Sequence, residues 1–125
     1  MKYKVTIDVP SLDAGVAFYA EVFGLAEIAR PFAVFALLAS GEVRLGIMEK
    51  PEGSQPAPGT EDRRHYARHW TPVHMDIEVD DFDATLERLA AAGGVCEQRF
   101  EMDGYPTAFC ADPWGNGFCL LQTRA

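Results

Sequence analysis

The chain repeats itself. VTIDVPSLDA at Val5–Ala14 lies over MDIEVDDFDA at Met75–Ala84, and the register holds on to Gly24-Leu25 over Gly94-Val95. In both copies a strand of alternating polar and apolar residues runs directly into an acidic helix start. Two copies are too few for a solenoid, and instead describe a duplicated module with a pseudo-twofold. A chain of 125 residues has room for one domain, or for two very small modules packed together.

Helical spacing follows the strand in each copy. Leu12, Val16, Tyr19 and Phe23 form one apolar stripe, and Phe82, Leu86 and Leu89 form the other. Ser11 and Asp81 suit the N-cap position, and Asp13 and Asp83 lie near the positive helix end. Gly24 and Gly93-Gly94 supply the left-handed residue that stops a helix. Strand-type runs come next: Leu25–Ala29, Phe32–Ala39 and Glu42–Met48, then Val95–Met102, Thr107–Ala111 and Phe118–Gln122. Ser40-Gly41, Gly104 and Asp112–Gly117 read as turns.

Each half is therefore β-α-β-β-β, an α+β chain with a first module at 1–50 and a second at 71–125. Residues 51–70 link them, Pro/Gly-rich through Thr60 and then charged and aromatic, with room for one helical turn. Strand parity separates two faces. Val5, Ile7 and Val9 oppose Lys4, Thr6 and Asp8, while Met75, Ile77 and Val79 oppose His74, Asp76 and Glu78. The apolar faces need a helix as cover, so the ionisable faces meet solvent or line a cavity.

The net charge of −8 repels polyanions, and Arg63-Arg64 is the only adjacent basic pair, which speaks against nucleic acid as a partner. Cys96, Cys110 and Cys119 lie in apolar stretches with no CxxC spacing and read as small hydrophobes in a reduced compartment. MKYKVTIDVP has no continuous apolar run of the signal-peptide kind, and no stretch is long enough to span a membrane. The expected location is the cytoplasm, with no membrane partner.

Three stretches in order carry a family likeness: LDAGVAFY through Phe23-Gly24-Leu25, VHMDIEVDD at Val73–Asp81, and FCADPWGNGFCLLQ at Phe109–Gln122. With the repeat they cover nearly the whole chain. The chain resembles the vicinal oxygen chelate superfamily, which includes glyoxalase I, extradiol dioxygenases and the bleomycin- and mitomycin-binding resistance proteins. The resemblance implies mixed sheets curved into a cup with the helices outside and the polar parity face inside. It also implies frequent pairing of subunits, and hence a homodimer.

Metalloenzymes of that superfamily place four ligands in the cup, one on the first and one on the last strand of each module. Carried over, the positions are Lys4, Leu45, His74 and Cys119, with Leu45 laid over Cys119 by matching Ser40-Gly41-Glu42 to Trp114-Gly115-Asn116. Leu45 has no donor atom, and a lysine with an ordinary pKa of about 10.4 is protonated and repels a cation. Only His74 and Cys119 would serve a metal, so no cofactor is expected, with a divalent ion as the alternative.

The remaining candidates are ligand contacts. Asp8, Asp76 and Glu78 form an acidic set suited to an amine, or a solvated sheet edge, and Lys4 is a salt-bridge partner for them. Phe35, Tyr105, Trp70 and Trp114 offer faces for a flat ligand, or core and plug positions. His74 is a ligand contact, or a histidine held by a neighbouring carboxylate. His65 and His69, four apart, have metal-like spacing but no third ligand and read as a solvated pair. The expected function is metal-independent binding of an aromatic or cationic natural product. The alternative is a glyoxalase-type lyase or isomerase that uses a metal or His74 as general base.

Overall fold

In a computed structural model, which describes residues 1–124, Ser11 and Asp81 turn each strand into a helix. The Ser11 Oγ accepts from the Ala14 N–H at 3.4 Å, and the Asp81 carboxylate accepts from the Ala84 N–H at 3.0 Å. Each satisfies one of the amides that the first helical turn leaves without a partner. Gly24 ends the first helix at φ 66, where a side chain would be strained.

The chain divides into two compact units, the first Met1–Tyr66 and the second from Ala67. The first holds β1 (Val5–Val9), α1 (Leu12–Phe23), β2 (Ala26–Phe32), β3 (Phe35–Ser40) and β4 (Val43–Glu49). The second holds β5 (Met75–Val79), α2 (Phe82–Ala91), β6 (Val95–Met102), β7 (Tyr105–Ala111) and β8 (Gly117–Gln122). Each is a four-stranded mixed sheet, ordered β1-β4-β3-β2 and β5-β8-β7-β6. The outer pairs β1/β4 and β5/β8 are parallel and the others antiparallel. This is the duplicated βαβββ pattern that the repeat predicts.

One helix covers one face of each sheet, and the core lies between them. Tyr19 and Val22 of α1 are fully buried with Val9, Leu38 and Ile47 of the sheet. Gly15 permits this contact, because a Cβ there would lie 2.8 Å from Val9 Cγ2 and 2.9 Å from Ile47 Cγ2. In the second unit Thr85 takes the equivalent place, its hydroxyl donating to the Asp81 carbonyl at 2.8 Å. Phe82 and Leu89 pin α2 at 2% and 1% exposure, and truncating such a leucine to alanine costs about 2–5 kcal/mol.

The two units share finer joints. Glu49, the last residue of β4, accepts from the Leu12 N–H at 2.9 Å, and Gln122, the last of β8, accepts from the Phe82 N–H at 3.1 Å. Arg30 pairs with Asp13 at 2.7 Å, and Arg99 pairs with Asp83 at 2.6 Å. Each pair ties the strand after the helix to the helix's first turn.

Several expectations shift. Phe32 ends β2 instead of starting β3, since the turn falls at Ala33-Val34. The buried stripe of α1 is Leu12, Gly15, Phe18, Tyr19 and Val22, rotated from the predicted one, and Thr85 replaces Leu86 in α2. Residues 61–70 form no helical turn. The Gly53 and Arg64 amides bond to the carbonyls of Arg64 and Ser54 at 2.8 and 2.9 Å, which ties Arg64 to the Gly53-Ser54 stretch.

Candidate functional site

Sheet register lays out a row across the uncovered face of the second unit. Asp76 on β5 is opposite Cys119 on β8, Cys119 is opposite Phe109 on β7, and Phe109 is opposite Gln98 on β6. Partners in a ladder point to the same side. Ile77, Leu120 and Ala108 point the other way, beneath α2, and the latter two are fully buried.

His74 stands just before β5 and approaches Asp76 with Nε2 at 3.3 Å from Oδ1. Both side chains are more than half exposed. His74, Asp76 and Cys119 each offer a donor atom within 4.8 Å of the others, the one such group among the described residues. Burial raises the Cys119 thiol above its ordinary value, and the Asp76 carboxylate raises it further by charge and as hydrogen-bond acceptor. The thiol therefore keeps its proton beside Asp76, which stands between a thiol and an imidazole. A protonated thiol is a poor nucleophile, so a Cys–His catalytic pair does not describe this group.

An aromatic bank adjoins the row. The Phe109 ring lies 5.0 Å from Phe100 and meets Trp70 edge-on at 6.3 Å. Trp70 is 73% exposed, with the Arg68 guanidinium 4.0 Å from its ring. Arg68 is held in turn by both carboxylate oxygens of Glu97, at 2.8 and 3.0 Å. Sequence reasoning missed Phe109 and Phe100. Alternation of Thr107 and Phe109 with Ala108 and Cys110 along β7 was the available signal.

The matching face of the first unit is built differently. Thr6 on β1 is opposite Gly46 on β4, the counterparts of Asp76 and Cys119, and Lys4 corresponds to His74. A Cβ on Gly46 would lie 2.6 Å from Thr6 Oγ1 and 2.9 Å from a Phe35 ring carbon. The Phe35 ring thus fills the space that the Cys119 side chain uses in the second unit. Lys4 Nζ sits 4.8 Å from the centre of that ring, not in the expected salt bridge with the acidic set.

Leu45 requires a correction. It pairs with Val5 on the helix-covered face at 7% exposure, so Gly46 is the position equivalent to Cys119. Asp8 is likewise engaged: Arg64 donates to it at 2.8 Å and also to the Gln55 carbonyl at 2.8 Å. Phe35 is 8% exposed and belongs to the packing beneath Lys4.

Tyr105 opens β7 with the Arg124 guanidinium 4.4 Å from its ring. Trp114 is half-buried in the turn before β8. Asp112, 2% exposed, organises that turn by accepting from the amides of Trp114 and Asn116, both at 2.9 Å. His65 and His69 take separate partners, Glu52 at 2.7 Å and the Ala67 carbonyl at 2.9 Å. Of the three cysteines read as small hydrophobes, Cys110 is buried and Cys96 is exposed.

At matching positions the first unit lacks the metal donors that the second unit carries. Lys4, Thr6 and Gly46 offer a cation, a hydroxyl and no side chain where the second unit offers imidazole, carboxylate and thiol.

Comparison with known proteins places these features. Residues 4–121 match the family model described as a glyoxalase-like domain. The chain is 31% identical over 115 residues to the Mycobacterium tuberculosis protein named "Putative glyoxylase CFP32", an alignment spanning 88% of this chain and 39% of that protein. It thus spans well under half the length of that relative. Among solved structures, the fosfomycin resistance protein FosX of Listeria monocytogenes superposes with a TM-score of 0.72 at 17% identity, covering 99% and 93% of the two chains. A glyoxalase-related enzyme from Fulvimarina pelagi gives 0.72 at 20% identity, covering 98% and 88%. At such identities the structures support the fold alone.

Proposed function

Because the chain belongs to the family of glyoxalase-like domains, we propose that it is a small-molecule binding protein that takes a planar aromatic or cationic ligand without a resident metal ion. The observation that carries this is the row Asp76–Cys119–Phe109, which sets a carboxylate beside an aromatic bank on one uncovered sheet face. A flat ring can lie against Trp70 and Phe109 while a positive group meets Asp76 or Glu78. The donor mismatch of the first unit supports metal independence.

The working form in this reading is a homodimer. Edge strand β2 is exposed along its full length, with Ile28 and Phe32 at 52% and 68% exposure, and edges of this kind are ordinarily covered. Among the described residues no helix is long and apolar enough to cross a membrane.

A second reading, a metal-dependent lyase or isomerase of the glyoxalase type, is favoured by the convergence of His74, Asp76 and Cys119. One experiment separates the two. Protein stripped with chelator and dialysed is screened by thermal shift against planar aromatic cations, with and without added zinc. Stabilisation that persists without metal, and falls in Asp76→Asn, supports the binding reading. Stabilisation that appears only with zinc, together with near-stoichiometric metal in the untreated protein, replaces it with the enzyme reading.

A further inference from the structure

We infer that Cys96 and Cys110 form a hydroperoxide-driven disulfide across the β6/β7 hairpin, a modification site separate from the His74–Asp76–Cys119 group. The two residues are direct partners in the antiparallel register. Opposed residues in such a pair have Cα atoms about 4.5–5.5 Å apart, within the range of about 4.4–6.8 Å that a disulfide spans. Partners in a ladder also point to the same side, so both Cβ atoms aim into one space. Burial raises the Cys110 thiol above its ordinary value, and Cys96 is near enough to help raise it.

Their exposures divide the chemistry. Cys96 is exposed and can meet an oxidant, whereas Cys110 is fully buried and cannot. The Cys96 thiolate attacks one oxygen of a hydroperoxide, the O–O bond breaks, and water or an alcohol leaves once protonated. Cys96 is then a sulfenic acid. The Cys110 sulfur attacks the Cys96 sulfur, the S–O bond breaks, and the departing hydroxide takes the Cys110 proton to leave as water. Two thiols and one hydrogen peroxide give one disulfide and two waters, both sulfurs being oxidised and both peroxide oxygens reduced. Burial holds the Cys110 proton and so slows this second step. The step proceeds because the departing hydroxide is a stronger base than the thiolate and takes the proton as it leaves.

The link has a structural consequence. The register slips between Cys96 and Gln98, so Glu97 sits in a bulge, and Glu97 holds Arg68 against Trp70. Crosslinking at the base of that bulge fixes the strand that carries Glu97.

The test is stoichiometric hydrogen peroxide on the full chain, followed by denaturing alkylation and peptide mass mapping. Cys119→Ser serves as the background that leaves a single possible intramolecular pair. The expected result is loss of two hydrogens from the monomer mass, a linked Cys96–Cys110 peptide, and recovery of both thiols with dithiothreitol. In Cys96→Ser, which alters an exposed side chain, Cys110 should stay alkylatable after the same treatment. An intermolecular Cys96–Cys96 dimer, or Cys96 carried to sulfinic acid with Cys110 still alkylatable, overturns the inference.

Discussion

Arg64 donates from Nε to the Asp8 carboxylate at 2.8 Å, across most of the first unit's sequence. The pair takes Asp8 out of the acidic set that strand parity outlines. The same guanidinium reaches Ser54 Oγ at 3.3 Å and the Gln55 carbonyl at 2.8 Å, so one side chain fastens the Pro/Gly-rich stretch to β1. Hydrogen bonds to charged groups contribute about 1.5–3 kcal/mol each when well shielded, and the Arg64 side chain is only 16% exposed. Arg64→Ala should lower unfolding stability by about 1–3 kcal/mol. Urea denaturation would show this as a lower midpoint at unchanged slope, and an unchanged midpoint would show that the stretch is held by other contacts.

Gly115 is the sharper test of how the second unit is assembled. Its φ is +87, and a Cβ would lie 2.5 Å from the Ala67 carbonyl carbon, a backbone atom that cannot move aside cheaply. Gly41 also has positive φ, at +55, but open space around it. Gly41→Ala should cost about 1 kcal/mol from backbone strain alone, whereas Gly115→Ala should cost distinctly more, about 3 kcal/mol or above. Equal losses in thermal or urea unfolding would mean that residues 67–68 do not lie against the turn.

Much of this was legible in advance, for reasons that explain the failures as well. The duplication and the N-caps Ser11 and Asp81 are local signals, and the period-2 pattern of β1 and β5 fixes which face needs cover. Leu45 was misplaced because the two turns were matched through their glycines. Two residues separate β3 from β4 at Gly41-Glu42, while five separate β7 from β8 at Asp112–Asn116. A one-residue error in a strand moves every side chain to the other face. The Asp8–Arg64 pair was not legible because it joins distant segments with no periodic relation. Phe109 lies inside β7, where an aromatic residue in an apolar run reads as ordinary strand packing.

Burial and the neighbouring Cys96 push the Cys110 thiol up to about 12, against 9.0 for an ordinary cysteine. Between these values the folded chain keeps a proton that the unfolded chain releases. Stability is unaffected by this group below pH 9.0 and falls as pH rises toward about 12. Unfolding free energy measured across that window should decline, and Cys110→Ala should flatten the decline while lowering overall stability through lost packing. A slope identical in both proteins would assign the alkaline loss to other groups.

Asp76 opposes ionisation of Cys119, so removing its charge should release the thiol. Asp76→Asn keeps an oxygen acceptor but takes away the negative charge. Alkylation of Cys119 by iodoacetamide near pH 8 should quicken by up to about tenfold for each pKa unit recovered. The rate at exposed Cys96, followed in the same peptide maps, should stay constant. Equal rates at Cys119 in both proteins would mean that burial alone holds its proton.

The last prediction addresses why the two units differ at matching points. If the Phe35 ring takes the space that the Cys119 side chain occupies in the second unit, the cost of a side chain at Gly46 must depend on Phe35. Gly46→Ala places a methyl 2.6 Å from Thr6 Oγ1 and 2.9 Å from the ring, an overpacking that costs about 1–3 kcal/mol. Phe35→Leu shortens the ring to a branched chain and costs a similar amount through lost packing. Together the two changes should cost less than the sum of the singles by about 0.5–2 kcal/mol, because each makes room for the other. Urea unfolding of the four proteins in this cycle measures the coupling directly. Strict additivity would show that Thr6 alone limits Gly46, and that Phe35 does not fill the first unit's counterpart of the Cys119 position.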